Sequence, residues 1–350
     1  MSFDVDHSTS GTVFEYNVSH DNEGGFFLLC PYDKPTTNFT IRYNLSVNDR
    51  ARVFQICPGD LVGGQIYKNT IFIGDSISSL MVLGPRGHSY DVLFADNIVS
   101  KSGSGSVTWQ LDDPKFNVTS NVLHGIEDYD AAKGTVTGSP RFAAAGLRDP
   151  QAYKLLAGSP AFGSAASIDD NAAVDFFSNP LPGNRNIGFY SGPVVKAPQL
   201  VSSFDDSQLA PWQTRGSVLI VQDPSGDLGK SLKIQPGGVV NTQCKTNEFR
   251  IRVTVRVMVT GSRSAGSGRA PAASTVSVGR WETSLVDLNI IDDGIWHLLE
   301  VIVSGKGKKA SAYLDGREVR LRRGKTCKRT IRIAANADIL YIDDVLITSL

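Results

Sequence analysis

The sequence repeats itself, and the length of the repeat leaves few folds open. Phe14-Glu-Tyr-Asn-Val-Ser19 matches Ile41-Arg-Tyr-Asn-Leu-Ser46, and at the same offset of 27 residues Phe26-Phe-Leu-Leu-Cys-Pro31 matches Val53-Phe-Gln-Ile-Cys-Pro58. Weaker copies follow at Tyr67-Lys-Asn-Thr-Ile71, Ala95-Asp-Asn-Ile-Val99 and Thr119-Ser-Asn-Val-Leu123. The shared asparagines, Asn17, Asn44, Asn69, Asn97 and Asn121, are spaced by 27, 25, 28 and 24 residues. Each unit holds short β-type runs bounded by turn residues and no run long enough for a helix, so one unit is one coil of a β-solenoid. Stacked coils set equivalent residues about 4.8 Å apart. The asparagines then form a column whose side chains bond to one another and to turn backbone.

Alternation predicts which way side chains face. Phe27 and Leu29 should stack on Phe54 and Ile56, then on Ser79 and Met81, then on Val107 and Trp109, all facing the core. The alternate column, Leu28, Cys30, Gln55, Cys57, Leu80, Val82, Thr108 and Gln110, should face outward. The leading segment belongs to the preceding coil, with Phe3 and Val5 inside and Asp4 and Asp6 outside. Met1 thus opens inside a coil, and the expectation is an N-terminally truncated solenoid with further coils upstream.

With Asp4-Val-Asp-His7 and Tyr16-Asn-Val-Ser-His-Asp-Asn-Glu-Gly-Gly-Phe26 on one stack, the chain resembles the right-handed parallel β-helix proteins of secreted carbohydrate-active enzymes. Leu156-Ala-Gly-Ser-Pro-Ala161, Asp175-Phe-Phe-Ser-Asn-Pro180 and Asn186-Ile-Gly-Phe-Tyr190 are similar to the segment that closes many such solenoids, and are expected to cover the open core of the last coil. The resemblance spans residues 1–192, with coils to about 125 and a closing segment over 126–192. It implies a fold more than an activity, because this scaffold hosts lyases, glycosidases, esterases and adhesins.

Residues 193–203, with Pro193 and Pro198, read as a linker, and 204–350 as a second domain. Alternating segments at 218–221, 231–234, 249–259, 275–278, 298–303, 310–314, 330–333 and 339–347 predict an antiparallel jelly-roll sandwich, making the whole chain all-β. Arg250, Arg252, Thr254 and Arg256 alternate with apolar residues, which predicts one solvated face. Trp296-His-Leu-Leu-Glu-Val-Ile-Val303, Ala312-Tyr-Leu-Asp-Gly316 and Tyr341-Ile-Asp-Asp-Val345 resemble concanavalin- or laminin-G-like modules appended to extracellular glycan enzymes.

A formal net charge of zero conceals a division: residues 1–195 hold 13 Lys+Arg against 20 Asp+Glu, and residues 196–350 hold 22 against 15. An acidic solenoid argues against nucleic acid, which wants cationic surface. The basic half suits an acidic polysaccharide or is simply a solvated face. No apolar run approaches the ~20 residues of a membrane helix, so membrane insertion is not expected.

Four cysteines divide two and two. Cys244 and Cys327 lie in the second domain, where either a disulfide, as suits an exported protein, or two thiols fits the sequence. Cys30 and Cys57 hold the same position in neighbouring coils, and either a bridge or two thiols fits that placement. No zinc-ligand spacing occurs; Ca²⁺ at Asp4, Asp6 and Asp21, or at Asp343 and Asp344, is the one cofactor the sequence suggests. Asn17, Asn38, Asn44 and Asn117 match glycosylation sequons, two of them in the interior column; His88 and His124 read as surface residues.

The resemblance places chemistry on the outward sheet face, where β-helix enzymes bind linear polymers. The catalytic candidates are Asp4, Asp6, His20, Asp21 and Glu23; the substrate-binding candidates are His7, Arg50, Arg52, Gln55 and Trp281. Glycoside hydrolysis needs two carboxylates, one protonated. Lyase chemistry needs a base and a cation beside the sugar carboxylate, which Arg50 or Arg52 would supply. The alternative places Arg50 and Arg52 in pairs with Glu23 and Asp49, and the acidic residues at solvated corners. Trp212, Trp281 and Trp296 are either sugar-stacking or core residues. The expected function is a secreted or cell-surface glycoside hydrolase or polysaccharide lyase fragment with a glycan-binding module. A non-catalytic adhesion protein and a truncated pseudo-enzyme are its competitors.

Overall fold

The computed structural model describes the chain except for residues 85–89, 112, 128–134, 167, 169–171, 182–185, 206, 225–229, 244–249, 261–273, 286–294, 305–308, 324–329, 336–338 and 350. Cys244, Cys327 and His88 lie outside the described residues. The chain divides into two compact units, Met1–Val195 and Lys196–Leu350.

The first unit is a right-handed parallel β-solenoid. Its first coil holds β1 (Phe3–Asp6), β2 (Val13–Glu15) and β3 (Val18–His20). The second holds β4 (Phe27–Cys30), β5 (Thr36–Thr37), β6 (Thr40–Arg42) and β7 (Leu45–Val47). The third holds β8 (Ala51–Ile56), β9 (Leu61–Tyr67) and β10 (Thr70–Ile73). Then come β11 (Ser79–Leu83), β12 (Tyr90–Ala95) and β13 (Ile98–Lys101), and finally β14 (Val107–Thr108), β15 (Phe116–Thr119) and β16 (Val122–His124). Equivalent strands stack into three parallel sheets: β1-β4-β8-β11-β14, β2-β6-β9-β12-β15 and β3-β7-β10-β13-β16.

The asparagines stand in single file at the corner between the second and third sheets. Each Oδ1 accepts from the backbone N–H and the Nδ2 of the asparagine one coil earlier, from Asn44 taking Asn17 (3.0 and 3.0 Å) to Asn121 taking Asn97 (2.8 and 3.1 Å). The residue before each asparagine is left-handed: Tyr16, Tyr43, Lys68, Asp96 and Ser120 have φ between 52° and 60°. A non-glycine residue there costs about 1–2 kcal/mol, which the ladder offsets by satisfying amides that are otherwise buried and bare.

Registration confirms Phe27 on Phe54 and Leu29 on Ile56. It corrects the next step. Ser79 pairs with Ala51, and it is Val82 that lies over Phe54. Val53 and Phe54 are both buried, so β8 breaks strict alternation and carries Met81 and Val82 into the core together. Val82 is therefore inward, not outward. Cys30 and Cys57, also buried, form a disulfide between adjacent coils, with Cα atoms 4.5 Å apart.

The closing segment departs from expectation. It lies along the outer side of the third sheet and the asparagine corner: Phe189 N–H donates to Thr70 Oγ1, Gly188 N–H to Asp96 O, and Lys68 Nζ to Asn186 O. It reaches the first coil, where Tyr16 donates to Val174 O and Arg148 meets Asp21. The third sheet presents apolar side chains on both faces, for instance Ile71 and Phe72, and needs such a cover. Gly188, at φ +88°, leaves no room for a Cβ, which would lie 2.7 Å from Ile98 Cδ1.

The second unit is two antiparallel sheets around one core. In chain order its strands are β17 (Leu200–Ser202), β18 (Gln213–Arg215), β19 (Val218–Gln222), β20 (Lys230–Ile234), β21 (Val239–Gln243), β22 (Arg250–Thr260), β23 (Thr275–Val278), β24 (Trp281–Ser284), β25 (His297–Ser304), β26 (Lys309–Leu314), β27 (Arg317–Val319), β28 (Arg322–Arg323), β29 (Thr330–Ala334) and β30 (Ile339–Ser349). One sheet runs β19-β20-β30-β22-β25-β26-β27, with β17 on β30, and the other β18-β21-β29-β23-β24-β28. Strand β17 falls inside the stretch read as a linker.

The solvated face expected on β22 is corrected at its centre. Thr254 and Arg256 are buried, and the Arg256 guanidinium lies 3.8 and 3.5 Å from the Asp343 and Asp344 carboxylates. Trp296 stacks on it with the guanidinium 4.9 Å from the ring centroid, while its Nε1 donates to Asp223. A register break between Thr254 and Arg256 accompanies this arrangement. At Asp343 and Asp344, one of the two places where the sequence suggests Ca²⁺, Arg256 supplies the positive charge. Among the described residues no three His, Cys, Asp or Glu side chains are grouped to hold a metal.

Candidate functional site

Strand β1 presents Asp4 and Asp6 to solvent, with Val5 between them locked into the core. Alternate residues on a strand have Cα atoms about 6.7 Å apart on one face, so the two carboxylates stand side by side. Their environments differ. Partial burial and the neighbouring Asp6 push the Asp4 carboxyl above the usual range. The backbone N–H of His7 holds Asp6 below it against a small burial effect, helped by the His7 ring 3.1 Å away. In register, Asp4 sits beside Leu28 and Asp6 beside Cys30, and Leu28 in turn beside Gln55.

The other acidic candidates are occupied. Asp21 is nearly inaccessible, 2 % exposed at its side chain, and takes Arg148 Nε at 2.9 Å and His20 Nδ1 at 3.0 Å. Burial works to raise its pKa, but the His20 hydrogen bond and the Arg148 charge hold it below the ordinary carboxylate range. Glu23 is exposed and pairs with Arg50 at 2.5 Å, as the alternative reading held. Arg52 does not pair with Asp49; it donates to Gln55 on its own strand. Asp49 is instead buried beneath Ser19, Ser46 and Asn22, all of which donate to it. The third sheet's end, with His20 and Asp21, and the first sheet's face, with Asp4 and Asp6, are thus chemically separate.

In the sandwich, Trp281 pairs with Val278, a core residue, and Arg323 lies 5.6 Å from its ring centroid, so one face of the ring is already taken. Trp212 is core, donating to Ser202 Oγ. The sequence reading missed what lies on the opposite side of the same sheet. Successive cross-strand pairs run Gln213–Asn241, Asn241–Arg332, Arg332–Ser277, Ser277–Glu282 and Glu282–Arg322. Directly opposed residues share a face, and the flanking rows, Val240, Ile333 and Val276 among them, fill the core. The result is a row of polar residues across the side of the sheet away from the core, with Ser277 in it wholly buried. At its β18 end opens a cleft of about 260 Å³ lined by Gln199, Gln213, Asn241 and Gln243 with Leu200, Pro211, Thr242 and Ile347. The alternation Thr330-Ile-Arg-Ile placed Arg332 outward, but only sheet order puts it beside Asn241 and Ser277.

No protein family matches the chain by sequence, and no curated protein matches it. Solved structures share parts of its shape. Domain 4 of AbnA, a GH43 extracellular arabinanase from Geobacillus stearothermophilus solved with arabinotriose, is 13% identical over 43% of this chain and 92% of its own, with a TM-score of 0.30. The cellulose-induced protein Cip1 is 9% identical over 43% of this chain and 97% of its own, at 0.31. The alginate lyase vAL-1 from Chlorella virus is 6% identical over 44% of this chain and 100% of its own, at 0.28. Likenesses this distant carry no argument about chemistry. The reading rests on the residues.

Proposed function

We propose that this is a secreted or cell-surface carbohydrate-active protein that holds a polysaccharide along the outward face of the first solenoid sheet and hydrolyses it with Asp4 and Asp6. The observation that carries the reading is the pair itself: two exposed carboxylates on one strand face, their Cα atoms about 6.7 Å apart by strand geometry. The opposed shifts of their pKa values support Asp4 as the acid and Asp6 as the base. Hydrolysis is favoured over elimination because Arg50, one of the two cations a lyase would need here, is held in an ion pair by Glu23. A disulfide between coils supports an oxidising compartment, and among the described residues no helix is long and apolar enough to cross a membrane.

The test is a panel of plant, algal and bacterial polysaccharides, scored for new reducing ends and for the ultraviolet absorbance of an unsaturated lyase product. Reducing ends without absorbance, cut by about a hundredfold or more in Asp4→Asn and Asp6→Asn, are expected. Turnover unchanged in both variants overturns the assignment. Binding without turnover on any substrate favours the adhesion reading, which the engagement of Asp21 and Glu23 in ion pairs supports.

A further inference from the structure

At the centre of the sandwich's polar row sits Arg332, half-buried between Asn241 and Ser277, both neutral. Among the described residues its guanidinium has no hydrogen bond and no ion pair. The one carboxylate in the row, Glu282, lies a strand further on and accepts the Ser277 hydroxyl at 2.9 Å. A partly desolvated cation left without an anion is unfavourable. A planar guanidinium is matched by a carboxylate, which takes its paired N–H groups side by side.

The neighbouring cleft offers different chemistry. Four of its lining residues, Gln199, Gln213, Asn241 and Gln243, carry primary amides. An amide presents both donor and acceptor, which suits a ring of hydroxyls that are also both. Adjacent strands are about 4.8 Å apart, close to the advance per unit of an extended pyranose chain. A polymer laid across the strands at the β18 end would therefore meet Gln213, Asn241 and Arg332 at about one residue per sugar. The row offers no aromatic ring among its members for a base to stack on, which disfavours single-stranded nucleic acid. The excess of 22 Lys+Arg over 15 Asp+Glu in residues 196–350 adds a long-range preference for an anionic polymer.

We propose that this row and its cleft bind a uronic-acid-bearing stretch of polysaccharide, the carboxylate of one sugar on Arg332 and the hydroxyls of its neighbour on the amides of Gln213 and Asn241. The inference deepens the glycan reading by naming the sugar class. It uses none of the groups assigned to hydrolysis, so the two can fail separately.

The full chain is titrated calorimetrically with tetragalacturonate, tetramannuronate and a hyaluronan tetrasaccharide, and with the carboxyl-reduced form of each. At least one acidic oligomer should bind, and its reduced form about tenfold or more weaker, the worth of one charge-assisted pair. Arg332→Gln should weaken the acidic oligomer by about the same factor and leave the reduced form unchanged, with Arg332→Lys recovering part of the loss. Asn241→Ala should weaken both forms. Failure of all three acidic oligomers to bind, or equal binding by Arg332→Gln at an unchanged melting temperature, overturns the proposal.

Discussion

Asn69 Oδ1 accepts both the backbone N–H and the side-chain Nδ2 of Asn44, at 3.1 and 2.9 Å, across one coil of the solenoid. Asn69 Nδ2 in turn reaches Asn97 Oδ1 and the Ile41 and Tyr67 carbonyls. Every polar atom of a wholly buried side chain is thereby satisfied, and each rung orients the next.

Removing one rung should therefore strand its neighbours. Asn69→Ala leaves the Asn44 backbone N–H and one Asn44 Nδ2 hydrogen without partners, at about 1–3 kcal/mol for each group that water cannot reach. Asn17→Ala, at the half-buried end of the file, should lose about 1 kcal/mol. Because the two units have separate cores, calorimetry should resolve a solenoid transition that moves and a sandwich transition that does not.

The left-handed corner residues give a prediction of opposite sign. Ser120, at φ +55°, holds a conformation that a glycine adopts freely. Ser120→Gly should raise the solenoid transition by up to about 1 kcal/mol, after the entropy that glycine adds to the unfolded chain. A lowered transition would mean the Ser120 side chain stabilises the corner.

Arg148 should matter more than any surface pair. Its partner Asp21 is 2 % exposed, so Arg148→Met leaves a buried carboxylate without its cation, a loss of about 3–5 kcal/mol. Asp21 is held below the ordinary carboxylate range in the folded chain. Its stabilising contribution is thus complete above the unfolded value of about 3.9 and fades as pH falls through the lower folded value. Denaturation midpoints measured between neutral pH and pH 2 should fall less steeply in Asp21→Asn than in the parent chain.

Arg256 gives the corresponding test in the sandwich. With Asp343 and Asp344 both buried at its guanidinium, Arg256→Met should lower the sandwich transition alone, by about 3–5 kcal/mol. Added Ca²⁺ should not shift the transition of the parent chain, since Arg256 already stands at the two carboxylates.

The pH dependence of turnover follows from Asp4 and Asp6. The rate should rise as Asp6 ionises, at a value below the ordinary carboxylate range, and fall as Asp4 ionises, at a value above it. The optimum is then acidic. Asp4→Asn should lose the falling limb along with most of its rate, while Asp6→Asn should be lower at every pH by about a hundredfold or more.

How much of this was legible in the chain itself follows from the reach of each interaction. A solenoid coil contacts its copy a fixed number of residues away, so the period of about two dozen residues determined the stack, the asparagine file and the outward position of Asp4 and Asp6. Strand alternation likewise located the main strands of the sandwich. What lay beyond was set by contacts with no period. Arg148 meets Asp21 across 127 residues, and the closing segment clothes the third sheet because that sheet is apolar on both sides. Arg256 is buried because Trp296 folds over it, and Arg332 gains its neighbours from the order of strands in a sheet. Local pattern says which side of a strand a residue takes; only the folded chain brings a partner to that side.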